Sequence, residues 1–375
     1  MDKQPKCHIA LVWRQLDNIA GGVEYFSINL ANEMVRRGHK VSFFTWDEIG
    51  AKPFFPLDDQ VNWVKLDLGN PGFSATWSVR LKRFFQFRKN LKHASPDVIL
   101  VFESGIFLVV RLFLLALAYR VVLAERNSPS KHKYLGKKSK LFSIFGHYFA
   151  SEIVFQFTRY KDFLPRFLRH KVVGLPNPVF SSPMVTRVEQ VFKHDRKTIL
   201  FIGRLAYQKN VGALIHAFLA LAEDYPQWDL VIGGGGPDHA SLSRALEGSV
   251  YSQRVFFLES VKNPQSYYSR ADIFCIPSFY EGFPNTLAEA LAAGLPAVGF
   301  QDCCGVSDLI QDGVNGILTK GAMTGDNLHL SLGTLMNDSL LRDTMGGNAK
   351  LSVSKFDPSI VYNLWENFLV KGCRK

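Results

Sequence analysis

Residues 197–237, KTILFIGRLAYQKNVGALIHAFLALAEDYPQWDLVIGGGGP, contain a complete strand–helix–strand unit. The short apolar run KTILFIGR is typical of a buried parallel strand, and a second run, WDLVIGGGGP, ends in a glycine turn. The segment between them, NVGALIHAFLALAEDYP, is predicted to be a helix. Two strands joined by a crossover helix predict a mostly parallel, doubly wound α/β sheet.

The same alternation extends along the whole chain of 375 residues. Because single domains typically hold about 100–200 residues, two such α/β domains are expected. Three prolines and a loss of periodicity in residues 176–196 indicate a linker. Open α/β sheets bind ligands at the carboxyl ends of their strands, so a cleft between the domains is the expected site. The predicted segments are a first domain at 1–180, a linker at 181–196, a second domain at 197–355 and a final helix at 356–375.

Three local expectations concern less regular segments. Residues 106–124, IFLVVRLFLLALAYRVVLA, are apolar apart from two arginines. A central arginine costs about 2.5–3.5 kcal/mol in a membrane span, so a buried helix followed by a buried strand is predicted instead. The lysine-rich stretch SKHKYLGKKSK is predicted to be a solvated loop, and DLIQDGVNGILT a hairpin-like return.

Basic charge is concentrated in the first half of the chain. The formal net charge is +11; residues 1–180 hold 27 Lys and Arg against 14 Asp and Glu, whereas residues 181–375 hold 17 against 19. Such a field attracts phosphate-rich partners, including an anionic membrane or a lipid diphosphate. A solvated basic face is the alternative. No helix–turn–helix or RRM-type signature is present, so nucleic acid is not an expected partner.

The cysteines and the start of the chain bear on its location. The chain has five cysteines, an odd number without metal-binding spacing, which favours a reducing compartment. The apolar run in MDKQPKCHIALVW is too short for a signal peptide. A cytoplasmic location is therefore expected.

The strongest chemical signal is PSFYEGFPNTLAEALAAGLPAVGF, residues 277–300, in which a strand, a Gly-Phe-Pro turn and a helix follow one another. The first amides of a helix lack intrahelical partners and form a ready anion site. Glu281 lies on the loop, within reach of a transferred group, and Glu289 lies about one turn into the helix, where it can accept hydrogen bonds from a ribose diol. The amides assigned to the anion site are those of Phe283, Asn285, Thr286 and Leu287.

Plain helix capping is the alternative explanation of this segment. Thr286 is a plausible N-cap, and Glu289 resembles the acidic member of a capping box. Capping does not explain why two carboxylates flank a Gly-Phe-Pro turn at the end of a buried strand.

A second signal, FIGRLAYQKNVGALIHAF, places two cations beside a helix start. A strand is predicted to end at Gly203, and Arg204 and Lys209 flank the following loop. Two cations there can clamp a diphosphate and stabilise it as it leaves; a pair of surface charges is the alternative. The run LVIGGGGP lacks the acidic residue expected about 20 positions later in a dinucleotide-binding unit, so a tight turn is preferred.

The first half offers further candidate contacts after two of its strands. Gly21 and Gly22 precede a helix, and such small residues let the backbone approach a ligand closely. A loop that merely needs glycine is the alternative. Glu125, Arg126 and Asn127 follow the strand RVVLA and, together with Gly21, are candidate sugar or acceptor contacts.

Aromatic and basic residues are interleaved in the predicted helix SVRLKRFFQFRKNLKH and just before it. This mixture suggests an interfacial membrane patch, which is the hypothesis for the first domain. Its members are Trp77, Arg80, Lys82, Arg83, Phe84, Phe85, Phe87, Arg88 and Lys89, together with Lys131, Lys133, Lys137, Lys138 and Lys140 of the lysine-rich stretch.

At these residues the chain resembles the retaining GT-B glycosyltransferases of family four, the glycosyl transferases group 1. The stretches that carry the resemblance are GGVEYFSINLANEMVRRGHKV, GLPNPV, LFIGRLAYQKN, ADIFCIPSFYEGFPNTLAEALAAGLPAV and DGVNGIL. Many members place a His after the strand that here reads VVLAERN, whereas this chain has Arg126. The chain is similar to a subgroup with a Glu-Arg-Asn motif, often involved in bacterial surface polysaccharides.

The resemblance implies two facing Rossmann-like doubly wound domains, with the donor nucleotide bound by the C-terminal one and the acceptor by the basic N-terminal one. It implies that Arg204 and Lys209 bind the donor diphosphate and that Glu281 meets the transferred sugar. Glu289 would hold the ribose, Gly22 would approach the phosphates, and Gly203 and residues 283–287 would complete the donor site. No cofactor or metal is expected, because Arg, Lys and a helix terminus replace a divalent ion.

The expected function is retaining transfer of a sugar from a nucleotide-diphosphate-sugar to a saccharide acceptor. A polyprenyl-diphosphate-linked acceptor, at the inner face of the cytoplasmic membrane, suits the basic first domain. The product would belong to O-antigen, capsule or exopolysaccharide. The alternatives are a sugar-nucleotide epimerase of the same fold and a non-catalytic nucleotide-sugar-binding protein.

Overall fold

The computed structural model describes residues 6–68, 76–135, 137–180, 195–259, 261 and 263–373, except for the side chains of 132, 135 and 137–142. The chain divides into two compact units. Unit 1 is Met1–Asn177 together with Ser359–Lys375, and unit 2 is Pro178–Pro358. Most of the linker predicted at 181–196 lies outside the described residues.

Unit 1 is built on a sheet of seven parallel strands in the order β3-β2-β1-β4-β5-β6-β7. Its central strands β1 and β4 are buried along their whole length and apolar except for His8, as the continuous hydrophobic runs predicted. The strands are β1 His8–Val12, β2 Lys40–Thr45, β3 Asn62–Lys65, β4 Val98–Phe102, β5 Arg120–Ala124, β6 Glu152–Phe155 and β7 Val172–Gly174. The helices before residue 178 are α1 Gly22–Arg36, α2 Trp77–Ala94, α3 Ser104–Phe113, α4 His132–Leu135 and α5 Lys137–Phe149.

Unit 2 has a six-stranded parallel sheet in the order β10-β9-β8-β11-β12-β13. The strands are β8 Lys197–Ile202, β9 Trp228–Gly233, β10 Val255–Leu258, β11 Ile273–Ile276, β12 Ala297–Phe300 and β13 Gly316–Thr319. The helices are α6 Val211–Leu221, α7 His239–Arg244, α8 Pro264–Tyr268, α9 Asn285–Ala293, α10 Val306–Leu309, α11 Gly325–Asn337 and α12 Ser339–Ser352. The reversal of strand order at β8 and β11 makes the sheet doubly wound.

The final helix, α13 Pro358–Leu369, packs in unit 1. Trp365 is fully buried there, and its ring centroid lies 5.2 Å from that of Phe26 on α1. Arg120, at the start of β5, donates hydrogen bonds to the carbonyl oxygens of Phe368, Leu369 and Lys371. These bonds satisfy the last carbonyls of a helix end, which otherwise lack partners.

The apolar stretch 106–124 forms most of α3 and all of β5, so the predicted helix and strand are both present. The strand is buried after Arg120, whereas the helix is buried on one face only, with Val109 and Leu112 41% and 58% exposed. Among the described residues, no helix is long and apolar enough to cross a membrane.

Two local predictions were wrong. The segment DLIQDGVNGILT is not a hairpin, because β13 pairs in parallel with β12. A Cβ at Gly316 would lie 2.1 Å from the carbonyl oxygen of Ala297, so glycine permits this close pairing. The lysine-rich stretch is not a loop, since residues 129–149 are largely helical and Lys131 is buried beside Glu125.

The cysteines also differ from expectation. Cys7 and Cys373 form a disulfide in unit 1, while Cys275, Cys303 and Cys304 are free. Disulfides are rare in reducing compartments, so the pairing differs from what the odd cysteine count indicated, and the cytoplasmic location stays a prediction.

Candidate active site

The candidate site in unit 2 is formed by two loops that follow neighbouring strands. β8 pairs directly with β11, and both strands are parallel. Residues 203–210 follow β8 and residues 277–284 follow β11, so both loops leave the same edge of the sheet. The carboxyl edge of a parallel sheet is where ligands of such folds bind.

A salt bridge joins the two loops. Lys209 Nζ donates to Glu281 Oε1 at 2.6 Å, and their side chains are 18% and 8% exposed. The sequence predicted both residues in one site, and the structure brings them into direct contact. Each side chain therefore holds the other in position. The charge of the Glu281 carboxylate is balanced by Lys209, whose side chain remains partly exposed to solvent.

Backbone contacts fix the same two loops. The Phe279 amide donates to the carbonyl oxygen of Gln208 at 2.9 Å, and Gln208 Nε2 donates to the carbonyl oxygen of Tyr280 at 2.7 Å. Gln208 was not among the predicted site residues, and its polar side chain between Arg204 and Lys209 was the available signal. These bonds hold Glu281 and Lys209 on a rigid frame, as a preorganised site requires.

Gly305 supports Glu281 from a third segment. Its φ is +84°, and a Cβ there would lie 2.8 Å from the carbonyl oxygen of Glu281 and 2.9 Å from that of Gly282. The Glu281 amide donates to the carbonyl oxygen of Cys304 at 3.3 Å. Sequence reasoning missed this glycine, because the contact joins residues that are far apart along the chain.

The run of glycines after β9 places Arg204. A Cβ at Gly234, whose φ is +125°, would lie 2.2 Å from the carbonyl oxygen of Gly203, and one at Gly236 would lie 2.1 Å from that of Leu205. The Leu205 amide donates to the carbonyl oxygen of Gly235 at 2.9 Å. The run therefore does more than form the predicted tight turn. It allows the backbone of residues 234–236 to pack directly on that of residues 203–205, and Arg204 in the latter segment is exposed.

Helix capping does not explain the segment at α9. The helix begins at Asn285, its N-cap is Pro284, and no side chain caps it. Thr286 is the second helical residue, so the alternative that Thr286 caps the helix is wrong. Glu289 Oε2 instead accepts a hydrogen bond from the Tyr268 hydroxyl at 3.2 Å. The capping-box alternative for Glu289 is wrong for the same reason.

Glu289 is half-buried on α9. Burial raises the pKa of Glu289 from 4.5 to about 7, although the Tyr268 hydrogen bond opposes this shift. A carboxyl group with such a pKa is partly protonated at neutral pH, so it can both donate and accept a hydrogen bond. The predicted role as a ribose ligand is untested and stays a prediction.

The side chains around the start of α9 differ in exposure. Phe283 and Leu287 are 7% and 0% exposed, and the ring of Phe283 packs edge-on against that of Phe356. Their contribution to a ligand is therefore restricted to the backbone. Asn285 and Thr286 are half-buried.

In unit 1, the glycine loop is shaped by a buried acid. Gly21 is the N-cap of α1, which begins at Gly22, and a Cβ at Gly21 would lie 2.1 Å from Glu24 Oε2. Glu24 is 7% exposed, and its Oε1 accepts a hydrogen bond from Trp13 Nε1 at 2.9 Å. Burial raises the pKa of Glu24 above its usual value. The contact with Glu24 is a structural reason for glycine at position 21, besides the approach of a ligand. The sequence did not predict the pairing of Glu24 with Trp13.

Glu125 lies inside unit 1 and is paired there. Its Oε1 accepts from the Ser104 amide at 3.2 Å and lies 3.4 Å from His147 Nε2, and its Oε2 lies 3.8 Å from Lys131 Nζ. Burial alone raises a carboxyl pKa, but Lys131, His147 and Ser104 outweigh it and lower the pKa of Glu125 to about 2. These contacts occupy its carboxylate, whereas the neighbouring Asn127 is half-buried.

One group of potential metal ligands occurs among the described residues. Ligand atoms of Cys7, Asp97 and Cys373 lie within 4.8 Å of one another. Both sulfur atoms are engaged in the disulfide and are not available as thiolates. The expectation that the reaction needs no metal stays a prediction.

Two family models match the chain over both units. The model for Glycosyltransferase Family 4 matches residues 20–160, and the model for Glycosyl transferases group 1 matches residues 185–352. Together they span the glycine loop of unit 1 and both loops of the candidate site. The chain belongs to glycosyltransferase family 4.

Relatives in the family align over almost the full chain. An amylovoran biosynthesis glycosyltransferase of Erwinia amylovora is 24% identical over 358 residues, covering 93% of this chain and 96% of its own. A Campylobacter jejuni protein is 28% identical over 356 residues, covering 92% of this chain and 94% of its own. That protein is described as a GalNAc-alpha-(1->4)-GalNAc-alpha-(1->3)-diNAcBac-PP-undecaprenol alpha-1,4-N-acetyl-D-galactosaminyltransferase.

Solved structures show the fold of this family 4 enzyme. Sucrose-phosphate synthase from Thermosynechococcus elongatus matches with a TM-score of 0.82, covering 98% of this chain and 99% of its own. The identity is 17%, so the likeness shows the fold alone. Two parallel-sheet α/β domains of this kind define the GT-B class.

Proposed function

We propose that this glycosyltransferase transfers a hexose, with retention of configuration, from a nucleotide-diphosphate-sugar to a saccharide carried on polyprenyl diphosphate. The product belongs to a cell-surface polysaccharide such as O-antigen, capsule or exopolysaccharide. The observation that carries the proposal is the Lys209–Glu281 pair, 2.6 Å apart, on the edge of unit 2 that also presents Arg204 and the start of α9.

The charges of this edge suit the donor. A diphosphate held by Arg204, Lys209 and the first amides of α9 gains charge as the bond to the sugar breaks, and fixed cations stabilise that charge. Glu281 orients Lys209 and meets the transferred sugar. Glu289 accepts a ribose hydroxyl, and Gly203 allows close approach of the backbone.

The reaction balances without a covalent intermediate. The bond between the anomeric carbon and the leaving diphosphate oxygen breaks, and a bond from that carbon to the acceptor oxygen forms on the same face. The acceptor proton passes to the departing diphosphate. No protein nucleophile is required, and the cations of unit 2 take the place of a metal ion.

The printed descriptions of the two relatives support the acceptor class. One protein acts in amylovoran biosynthesis, and the other is named for an undecaprenyl-diphosphate-linked saccharide. Unit 1 carries the basic excess that such an anionic acceptor and an anionic membrane attract. We therefore propose a cytoplasmic enzyme that binds peripherally at the inner membrane face.

One exposed helix face supports the membrane contact. Trp77, Leu81 and Phe85 recur every four residues along α2 and are 79%, 56% and 66% exposed. Arg80 and Lys82 are exposed beside them. An apolar stripe with flanking cations is typical of interfacial binding. Phe87, also assigned to the predicted patch, is fully buried and was wrongly included.

The donor and acceptor are tested together. Thermal shift with UDP-, GDP- and ADP-sugars identifies the nucleotide, and transfer assays on polyprenyl-diphosphate saccharides identify the acceptor. Retention is read from the anomeric configuration of the product by NMR. An altered sugar nucleotide formed from donor alone would replace this proposal with the epimerase, and donor binding without either product would leave a non-catalytic binding protein.

The membrane contact has its own assay. Sedimentation with phosphatidylglycerol vesicles at low salt is expected to retain the wild type and to lose the double variant Trp77→Ser, Phe85→Ser. Leu340→Ser is the matched control, because Leu340 is 75% exposed in unit 2. Equal sedimentation of the double variant and the control would contradict the proposed surface.

A further inference from the structure

Arg126 occupies a box of neutral groups inside unit 1. It is 9% exposed, and its guanidinium carbon lies 4.0 Å from the ring centroid of Phe26 and 5.6 Å from that of Trp365. Its Nη2 donates to Asn177 Oδ1. Aromatic faces and an amide oxygen hold a cation in place without neutralising it.

Two nitrogens of this guanidinium have no hydrogen-bond partner in the part of the chain that the structure describes. Nε and Nη1 are buried and lack an acceptor among the described residues, where no carboxylate forms an ion pair with Arg126 either. The adjacent Glu125 is occupied by Ser104, Lys131 and His147. Burial lowers the pKa of Arg126 to about 9. A buried cation without a counter-charge is costly, so its retention calls for an anion from outside the protein.

Arg342 in unit 2 shows what a structural arginine looks like in this chain. It is 7% exposed and lies 5.1 Å from the ring centroid of Trp228, so its burial and aromatic contact match those of Arg126. Its Nη1, however, donates to the carbonyl oxygens of Leu335 and Met336 at 2.5 and 3.2 Å. Burial over an indole therefore does not by itself leave guanidinium nitrogens unpaired.

The location of Arg126 agrees with a ligand role. It follows β5 by two residues, on the carboxyl edge of the unit 1 sheet. Phe26, its nearer aromatic contact, lies one turn after Gly22 at the start of α1. Arg126 is thereby tied to the helix whose glycine loop is predicted to approach phosphates.

We propose that Arg126 is an anion-recognition residue of unit 1 and that it pairs with a phosphate oxyanion of a substrate. The identity of that substrate rests on the proposed function, in which both the donor and the lipid-linked acceptor carry a diphosphate. The planar guanidinium fork matches phosphate oxygens, which would satisfy Nε and Nη1 together. Because Nε and Nη1 are buried in this structure, the guanidinium pairs with the anion only when its contacts with the aromatic rings and Asn177 change.

The test combines stability and binding in the full-length chain. Arg126→Met fills the same space without charge or polar hydrogens, and Arg342→Met is the matched control. Melting temperature is measured without ligand, and Kd is measured by calorimetry for two probes, UDP and geranyl diphosphate. Arg126→Met is expected to melt at or above the wild-type temperature, because an uncompensated buried charge is removed.

Binding then identifies the phosphate. The Arg126→Met change is expected to weaken at least one probe about tenfold or more, as the loss of a charge-assisted hydrogen bond implies. Weaker UDP binding assigns the donor diphosphate, weaker geranyl diphosphate binding assigns the acceptor diphosphate, and weakening of both assigns a shared position. Arg342→Met is expected to melt lower and to bind both probes as the wild type does.

Two results would overturn the inference: a lower melting temperature for Arg126→Met, which marks a structural arginine, or unchanged Kd values for both probes. These are separable from a failure of the proposed function. If Lys209→Ala loses UDP binding while Arg126→Met keeps both probes, only this inference fails. If the wild type transfers no sugar but its diphosphate binding depends on Arg126, only the proposed function fails.

Discussion

The charged residues at the carboxyl edges of the two sheets differ in exposure and in the groups that surround them. In unit 2, Lys209 and Glu281 meet at 2.6 Å and remain partly open, on loops fastened by backbone bonds. In unit 1, Glu125 and Arg126 follow a strand but are 2% and 9% exposed, the first among polar partners and the second among aromatic rings. Unit 2 therefore presents a partly open ion pair, whereas Glu125 and Arg126 of unit 1 are buried.

The largest effect is expected at the open pair of unit 2. Lys209→Ala and Glu281→Ala should each lower kcat by about 10²–10³, because a fixed charge in the site is lost. The double variant should lose less than the product of the two, since each partner already depends on the other. Steady-state kinetics checks this, with Lys320→Ala as control, a lysine whose side chain is 75% exposed. Near-normal turnover of both single variants would remove the site assignment.

A second contrast compares the two glycine loops. Gly234→Ala places a Cβ 2.2 Å from a backbone oxygen at φ +125°, and we expect a loss of about 2–4 kcal/mol in stability. Gly21→Ala has an ordinary φ of −104° and meets the carboxylate end of Glu24, which can turn away at the cost of its bond to Trp13. It should therefore cost less than Gly234→Ala, about 1 kcal/mol. Urea unfolding measures both, and equal losses would show that the Gly203 backbone yields more easily than its contacts suggest.

Glu125 is expected to stabilise unit 1 in a pH-dependent way. Its pKa is about 2 in the folded chain against 4.5 ordinarily, so its contribution is present above pH 4.5 and is lost as pH falls toward 2. Glu125→Gln should therefore cost about 2 kcal/mol at neutral pH, with the deficit shrinking at acidic pH. Denaturant unfolding at a series of pH values checks this. A deficit that is the same at every pH would indicate that lost packing, not lost charge, destabilises the variant.

Glu289 in unit 2 should behave in the opposite sense. Its folded pKa of about 7 lies above 4.5, so its stabilising contribution is complete below pH 4.5 and is lost as pH rises through 7. Glu289→Gln should remove this pH dependence, an effect of about 1 kcal/mol after allowance for the partial exposure of the side chain. Thermal melts of both proteins across this window test the sign. A parallel pH profile in the variant would place the titrating group elsewhere.

The helices, the strands and the shared position of Lys209 and Glu281 could be predicted from the sequence, because each depends on a short stretch of neighbouring residues. Continuous apolar runs marked the buried strands, and the positions of Arg204, Lys209 and Glu281 just after two strands placed them on one edge. The rest depended on contacts between distant segments. Gly305 beneath Glu281, Trp13 on Glu24 and the aromatic box around Arg126 involve side chains from separate elements, and no periodicity in the chain encodes such pairs.

The same limit explains the residues that were misassigned. Phe87 was grouped with exposed neighbours because it shares their composition, yet its helical position turns it toward the core. Lys131 was assigned to solvent because lysine usually lies there, whereas Glu125 provides a counter-charge inside the unit. Both errors came from judging residue type without knowing which partner the fold supplies.

The bond between Cys7 and Cys373 spans 366 positions, so residues 7–373 form a covalent ring in which unit 2 is an insertion. A single cut anywhere between these cysteines opens the ring without releasing a fragment. A nicked molecule therefore migrates as one species until a reductant is added. Electrophoresis of such molecules, taken directly from cells with thiols blocked, would report whether the compartment in which the enzyme works keeps this ring closed.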